Sequence, residues 1–190
     1  MQDPQTRILV IDLEASCDED GRIASEEMEI IEIGACWATT TGEVLDHFQS
    51  FVRPLLRPTL TPFCASLTGI RQTDVDAARL FAEVAIDLSE FACLYASSER
   101  YWMSWGAYDR KQIEHDCLRH GIPNPLLMAH YNAKQLFAKA QKIGKQVGMA
   151  KALDLAGVPL LGVHHRALND ARNIARLLPW VLGERLLGRV

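Results

Sequence analysis

Asp12 and Glu14 close an apolar run near the start of this 190-residue chain, Ile8-Leu9-Val10-Ile11-Asp12-Leu13-Glu14. Removing an ionised carboxylate from water costs several kcal/mol unless something pairs with it, so two acids inside a buried strand ask for a cation. Side chains alternate along a strand. The pair therefore projects from one face, with Cα atoms roughly 7 Å apart. Oxygen donors at that spacing suit Mg²⁺ or a similar hard divalent ion, which is usually held by one or two carboxylates plus substrate phosphates. Zinc would call for Cys or His, and none flanks the pair. Taken alone, the two acids also fit a strand end fraying into a turn.

Asp109 is a third candidate ligand. It lies three residues past Gly106 in Ser104-Trp105-Gly106-Ala107-Tyr108-Asp109, in the first turn of an expected helix, where the helix dipole by itself favours an anion. The segment His165-Arg166-Ala167-Leu168-Asn169-Asp170 supplies the rest. Residues five apart do not share a helix face, so His165 should stand just before a helix that contains Asp170, with both aimed at one pocket. An Asp among Ala167, Ala171, Ile174 and Leu177 is disfavoured in a helix interior without a partner. Four carboxylates carried by one strand and two helices fit two-metal phosphoryl transfer, in which ions about 3.5–4 Å apart steady the attacking and leaving oxygens. A histidine, with an ordinary pKa near 6.5, can take the proton of an attacking water about neutral pH.

The elements that must position these residues are legible in outline. Strands are expected at 7–13, 29–37 and 44–52, and the glycine-containing connection 39–43 makes the last two an antiparallel hairpin. Thr61-Pro62 reads as an N-cap followed by proline at the first helical position, opening a short helix that ends at Gly69. Leu80, Phe81, Val84, Leu88 and Phe91 recur at helical spacing and predict one helix over about 77–95. A short strand at 101–105 leads into a helix ending near His120. A second short strand at 126–130 precedes a helix capped by Asn132. Further helices are expected at about 149–156 and 169–187, the last kinked at Pro179. Three antiparallel strands followed by strand–helix alternation describe an α/β domain, a mixed five-stranded sheet with helices on both faces. No repeat or linker divides the chain, which reads as a single domain over 1–190.

Composition narrows the setting. Nearly half of the residues are apolar, as in a globular protein, and no stretch is long enough to span a membrane. Met1-Gln2-Asp3-Pro4 lacks the charged and apolar regions of a signal peptide, so a cytoplasmic location is expected. Five scattered cysteines suggest neither a disulfide framework nor a zinc knuckle and read as reduced thiols. The net charge of −4 conceals a division. Residues 1–109 hold 7 Lys/Arg against 19 Asp/Glu, whereas residues 110–190 hold 13 against 5. Between Tyr131 and Lys151 five lysines occur without an acid. A basic face beside an acidic metal pocket suits a phosphate backbone, although a run of lysines is also what a solvated helix face carries.

With these residues in hand, the chain resembles the DEDDh (DnaQ-like) 3′-to-5′ exonucleases: Asp12-Leu13-Glu14 matches the first motif, Asp109 the second, and His165 with Asp170 the third. It is similar to the ERI-1-like branch through Phe63-Cys64-Ala65-Ser66-Leu67-Thr68-Gly69-Ile70, Trp105-Gly106-Ala107-Tyr108-Asp109 and the run from His164 to Ala175. The resemblance spans about residues 7–182. It implies an RNase H-like fold, two Mg²⁺ or Mn²⁺ ions, and stepwise release of 5′-monophosphates from the 3′ ends of single-stranded RNA or DNA. By the same resemblance, Asp12 bridges both ions, Glu14 and Asp170 hold the ion that activates water, Asp109 helps to hold the other, and His165 is the general base in preference to His164. Leu67, Thr68 and the backbone around Leu13 would meet the terminal nucleotide. Trp105 and Tyr108 would either stack on a base or pack in the core. Asn169 stands where relatives often carry a second acid. No residue pattern names a protein partner or an oligomeric state, and none reads the 2′-hydroxyl that separates RNA from DNA. A proofreading DNA exonuclease and a catalytically idle nucleic-acid-binding or scaffold module on the same fold are the competing readings. A glycosidase is disfavoured, because two acids on one strand cannot flank a scissile bond from opposite sides.

Overall fold

The computed structural model of the chain describes residues 6–95 and 101–188, so the Met1–Pro4 stretch read above for a leader lies outside the described residues. Its centre is β1 (Arg7–Ala15), third in a sheet of order β3-β2-β1-β4-β5. On one side β2 (Ile30–Thr39) and β3 (Val44–Phe51) run antiparallel. They are joined by a tight turn in which Gly42 takes φ +87° and donates its N–H to the Thr39 carbonyl at 3.0 Å. On the other side β4 (Tyr101–Ser104) lies parallel to β1, and β5 (Ala129–Asn132) parallel to β4. Parallel neighbours need long crossovers, which the helices supply.

Alternation along β1 sorts the core into two layers. Leu9, Ile11 and Leu13 pack with α3 (Phe81–Ala92) and α4 (Tyr108–His120). Ile8 and Val10 pack on the opposite face, beneath α5 (Ala133–Ala140), α6 (Met149–Ala156), α7 (Ala167–Arg176) and α8 (Leu178–Val181). Asp12 and Glu14 continue this second face beyond the apolar part of β1. A smaller cluster joins Ile31 to α1 (Pro62–Thr68) and α2 (Gln72–Asp76) through Cys64, Ile70 and Val75.

Several expected boundaries move, each for a tertiary reason. The helix expected over 77–95 starts only at Phe81, as α3, and a separate short helix not expected from the sequence, α2, ends before it at Asp76. Between them the backbone extends to bridge Arg53 with Leu80, Arg53 N–H donates to the Arg79 carbonyl, and Glu83 caps the Leu80 amide. The last helix starts earlier than expected, at Ala167, and breaks at Leu177. After that only α8, with Pro179 in its first turn, remains of the span expected to reach 187. The fifth strand lies at 129–132 rather than 126–130. Asn124 accepts the Leu126 amide and turns the chain there, and pairing with β4 sets the register. Thr61 and Asn132 cap α1 and α5 through their side chains as expected.

Candidate active site

Three elements bring four carboxylates to the C-terminal end of β1. Asp12 and Glu14 come from the strand itself. α7 crosses the same face and carries Asp170 in its first turn, so that Asp12, Glu14 and Asp170 each have a carboxylate oxygen within 4.8 Å of the others. Asp109 arrives in the first turn of α4, where its Oδ1 accepts the Leu13 N–H at 3.2 Å. Glu14 is 8% exposed, Asp109 5% and Asp170 5%, with Asp12 half-buried between them.

The close seating of α7 depends on a residue without a side chain. Gly34 is the β2 partner of Asp12, and a Cβ there would stand 2.1 Å from the backbone carbon of Ala167 and from the Leu168 nitrogen. Beside it, Glu32, the β2 partner of Glu14, is fully buried and accepts both Arg166 (Nε at 3.2 Å, Nη2 at 3.1 Å) and the Ala167 N–H at 3.1 Å. Glu32 thus caps α7 from another strand, because Arg166, the N-cap residue, makes no side-chain cap bond of its own. Asn173 exchanges two hydrogen bonds with the Leu161 backbone and ties down the loop that delivers the histidines. Glu32, Gly34 and Asn173 were not singled out from sequence. The first two carried a signal, an acid and a glycine inside the apolar run of β2.

The electrostatics are those of a site built for positive charge. Burial, followed by repulsion from Asp109, Glu14 and Asp170, holds the Asp12 carboxyl well above its ordinary range. Burial and Asp170 push Glu14 up to about 8. Burial raises Asp109 and Asp170 to about 6, even though Ser104 and the Leu13 amide bond the former and the His165 amide the latter. Asp170 Oδ1 is buried without a hydrogen-bond partner among the described residues. Four crowded carboxylates and an orphaned oxygen are unfavourable as they stand and fit hard divalent cations, which would satisfy all of them.

Both histidines stand beside Asp170. Its Oδ2 accepts the His165 N–H at 3.0 Å and lies 3.6 Å from His164 Nε2, while the two imidazoles are 4.0 Å apart. His165 holds φ +61°, a left-handed conformation that a non-glycine residue adopts at a cost of about 1–3 kcal/mol. Burial, and then His164, lower its pKa and keep it neutral near pH 7.

The other candidate residues divide. Leu67 and Tyr108 are 39% and 44% exposed, and the Tyr108 hydroxyl meets Met28 Sδ at 3.5 Å. Thr68 is buried, its hydroxyl donating to the Cys64 carbonyl and accepting the Ile70 amide. The Leu13 side chain is in the core and its N–H is engaged by Asp109. Trp105 packs on Phe137 and donates Nε1–H to the Val147 carbonyl, which is the core alternative.

A mixed five-stranded sheet with acids converging at the end of its central strand defines the RNase H-like fold of DEDDh exonucleases. Residues 9–178 match the model of the RNase T family, described as exonuclease. The human 3′-5′ exoribonuclease 1 is 34% identical over 90% of this chain and 50% of its own length, and the probable 3′-5′ exonuclease KapD of Bacillus subtilis 30% identical over 92% and 83%. The nuclease domain of 3′hExo, a DEDDh family member crystallised with rAMP, superposes with a TM-score of 0.78 at 28% identity, covering 94% of this chain and 92% of that one. The chain belongs to the RNase T exonuclease family, in its ERI-1-like DEDDh branch. It spans about half the length of the human relative.

Proposed function

We propose that this chain is a metal-dependent 3′-to-5′ exonuclease that removes nucleotides as 5′-monophosphates from the 3′ ends of single-stranded RNA or short DNA. The observation that carries the proposal is the convergence of Asp12, Glu14, Asp109 and Asp170 on one pocket. Asp12, Glu14, Asp109 and Asp170 would hold two divalent ions, Mg²⁺ or Mn²⁺, which when bound stabilise the charge that develops on the attacking and leaving oxygens. The first turns of α4 and α7 carry Asp109 and Asp170 and open toward the pocket, adding the favourable end of two helix dipoles for a phosphodiester. His165, neutral near pH 7, accepts the proton of the attacking water. The water oxygen bonds to the terminal phosphorus, the bond to the preceding 3′ oxygen breaks, and that oxygen is released as a hydroxyl after protonation. His164 steadies Asp170 and is not the base. Leu67 and Tyr108 provide an apolar wall for the terminal nucleotide. RNA preference draws support from the relatives' names, exoribonucleases among them.

The proposal treats residues 1–190 as one catalytic domain, since the two main core layers lie on the two faces of one sheet. It places the enzyme in the cytoplasm, where thiols are kept largely reduced and disulfides are transient. No helix among the described residues is long and apolar enough to cross a membrane. The test is a time course on 5′-labelled RNA and DNA oligomers of matched sequence with Mg²⁺, Mn²⁺ or EDTA, for the wild type, His165→Ala and His164→Ala. A metal-dependent ladder shortening from the 3′ end, slowed about 10²–10⁴-fold by His165→Ala and little by His164→Ala, is expected. Binding of the oligomers without shortening would instead identify an idle binding module.

A further inference from the structure

Cys17 and Cys64 take no part in the chemistry above, yet the fold holds them together. Cys17 follows β1, three residues beyond Glu14, and packs against the small cluster that contains Cys64 of α1. One hydroxyl joins their backbones: Thr61 Oγ1 donates to the Cys17 carbonyl at 2.6 Å and accepts the Cys64 N–H at 3.0 Å. Cys64 Sγ–H also points at the Ala15 carbonyl, 3.7 Å away. Cys64 is fully buried, whereas Cys17 is partly open to solvent. The remaining cysteines lack this arrangement. Cys36 and Cys117 are buried and bond to the Ala171 and Pro123 carbonyls, and Cys93 is exposed.

We propose that Cys17 and Cys64 are an oxidation site, a thiol pair that peroxides convert to a disulfide and that thereby switches the exonuclease off; the switching half rests on the function proposed above. Peroxide oxidises the accessible Cys17 thiol to a sulfenic acid and is itself reduced to water. Cys64 sulfur then attacks the Cys17 sulfur, the S–S bond forms as the S–O bond breaks, and the hydroxyl leaves with the Cys64 proton as a second water. Thr61 holds the two backbones beside each other, Cys17 packs against the cluster that contains Cys64, and Cys17 is the thiol of the two that peroxide in solvent can reach.

The consequence follows from what the two sulfurs are attached to. A disulfide fixes its sulfurs about 2.05 Å apart, well inside the contact distance of two unbonded sulfurs, so forming it draws the 16–17 segment and α1 together. The start of that segment cannot yield easily, since Ser16 exchanges two hydrogen bonds with the Glu29 backbone. The movement falls on α1, which bears Leu67 and meets the end of β1 through Cys64 Sγ and the Ala15 carbonyl. A displacement of about 1 Å at a catalytic constellation costs on the order of 10²-fold in rate.

The experiment treats the purified chain with hydrogen peroxide, quenches with N-ethylmaleimide, and reads intact mass, thiol-mapped peptides and turnover of a labelled oligomer. Expected are a loss of about 2 Da, a peptide joined through Cys17 and Cys64, and turnover about 10- to 100-fold lower that dithiothreitol restores. Cys17→Ser and Cys64→Ala should keep the reduced rate and resist peroxide. Separate alkylation of both cysteines after oxidation would overturn the site, and a disulfide that leaves turnover unchanged would overturn the switch. Mass and peptide readouts do not need turnover. A preparation that forms the bond but never cleaves therefore counts for the thiol pair and against the exonuclease function.

Discussion

Replacing Gly34 with alanine should damage the active site without touching any group that performs chemistry. A Cβ at this position would lie 2.1 Å from the Ala167 carbon and the Leu168 nitrogen and 2.4 Å from the Ala167 oxygen. All three are backbone atoms, so no side chain can rotate away. Restoring an ordinary contact of 3.4 Å or more requires the start of α7 to lift from β2 by over an ångström. Overpacking of this kind costs about 1–3 kcal/mol. For a domain of this size that lowers the Tm by roughly 2–12 °C. The rate should fall further than stability. Asp170 and the His165 loop ride on α7, and about 1 Å of misplacement is worth on the order of 10² in kcat. Thermal melts followed by circular dichroism and single-turnover cleavage of a labelled oligomer measure the two effects separately. Gly148→Ala, whose Cβ would meet nothing within 4 Å, is the control and should change stability by less than about 1 kcal/mol. A Gly34→Ala protein with wild-type Tm and wild-type rate would refute the argument that this close approach seats the helix.

Two further outcomes follow from the buried charges. Asp109 and Asp170 have folded-state pKa values raised to about 6 and Glu14 to about 8, above their unfolded values, so the folded state binds the extra protons and metal-free stability falls as pH rises from about 4 through 8. Melts in EDTA should lose on the order of 6 kcal/mol between pH 5 and pH 8, whereas Asp12→Asn should flatten that slope, raise the metal-free Tm at pH 8 and cut turnover at least about 10²–10³-fold. A wild-type Tm that climbs over the same range would contradict the crowded-carboxylate description. Glu32→Gln should cost about 1–3 kcal/mol in urea unfolding, a reduced value for a broken buried pair because the Arg166 side chain is 29% exposed, and should lower kcat through the start of α7. An unchanged urea midpoint would mean that Glu32 does not hold the helix.

Much of this site was legible in the chain itself. A strand pattern that ends in Asp12 and Glu14 puts both acids on one face whatever surrounds them, because alternation is a property of the backbone. Likewise, the interval between His165 and Asp170 separates a residue before a helix from one in its first turn, where α7 places them. Local signals also marked Thr61, Pro62 and Gly69 as the limits of α1. What sequence could not express is which distant groups meet. Glu32 reads as one more acid until β2 lies beside β1, and Gly34 as an ordinary strand glycine until the backbone of α7 fills the space a side chain would need. Trp105 is decided by the Val147 carbonyl and Phe137, which stand 42 and 32 positions further along the chain. The Cys17–Cys64 pair exists only because α1 folds back on the end of β1 under one threonine hydroxyl. Backbone periodicity and capping act over a few residues, and the sequence by itself determined what depends on them: the element types, the face of each acid and the family motifs. Close approach, shared protons and the seating of α7 depend on atoms brought together from opposite ends of the chain, and only the tertiary structure decided them.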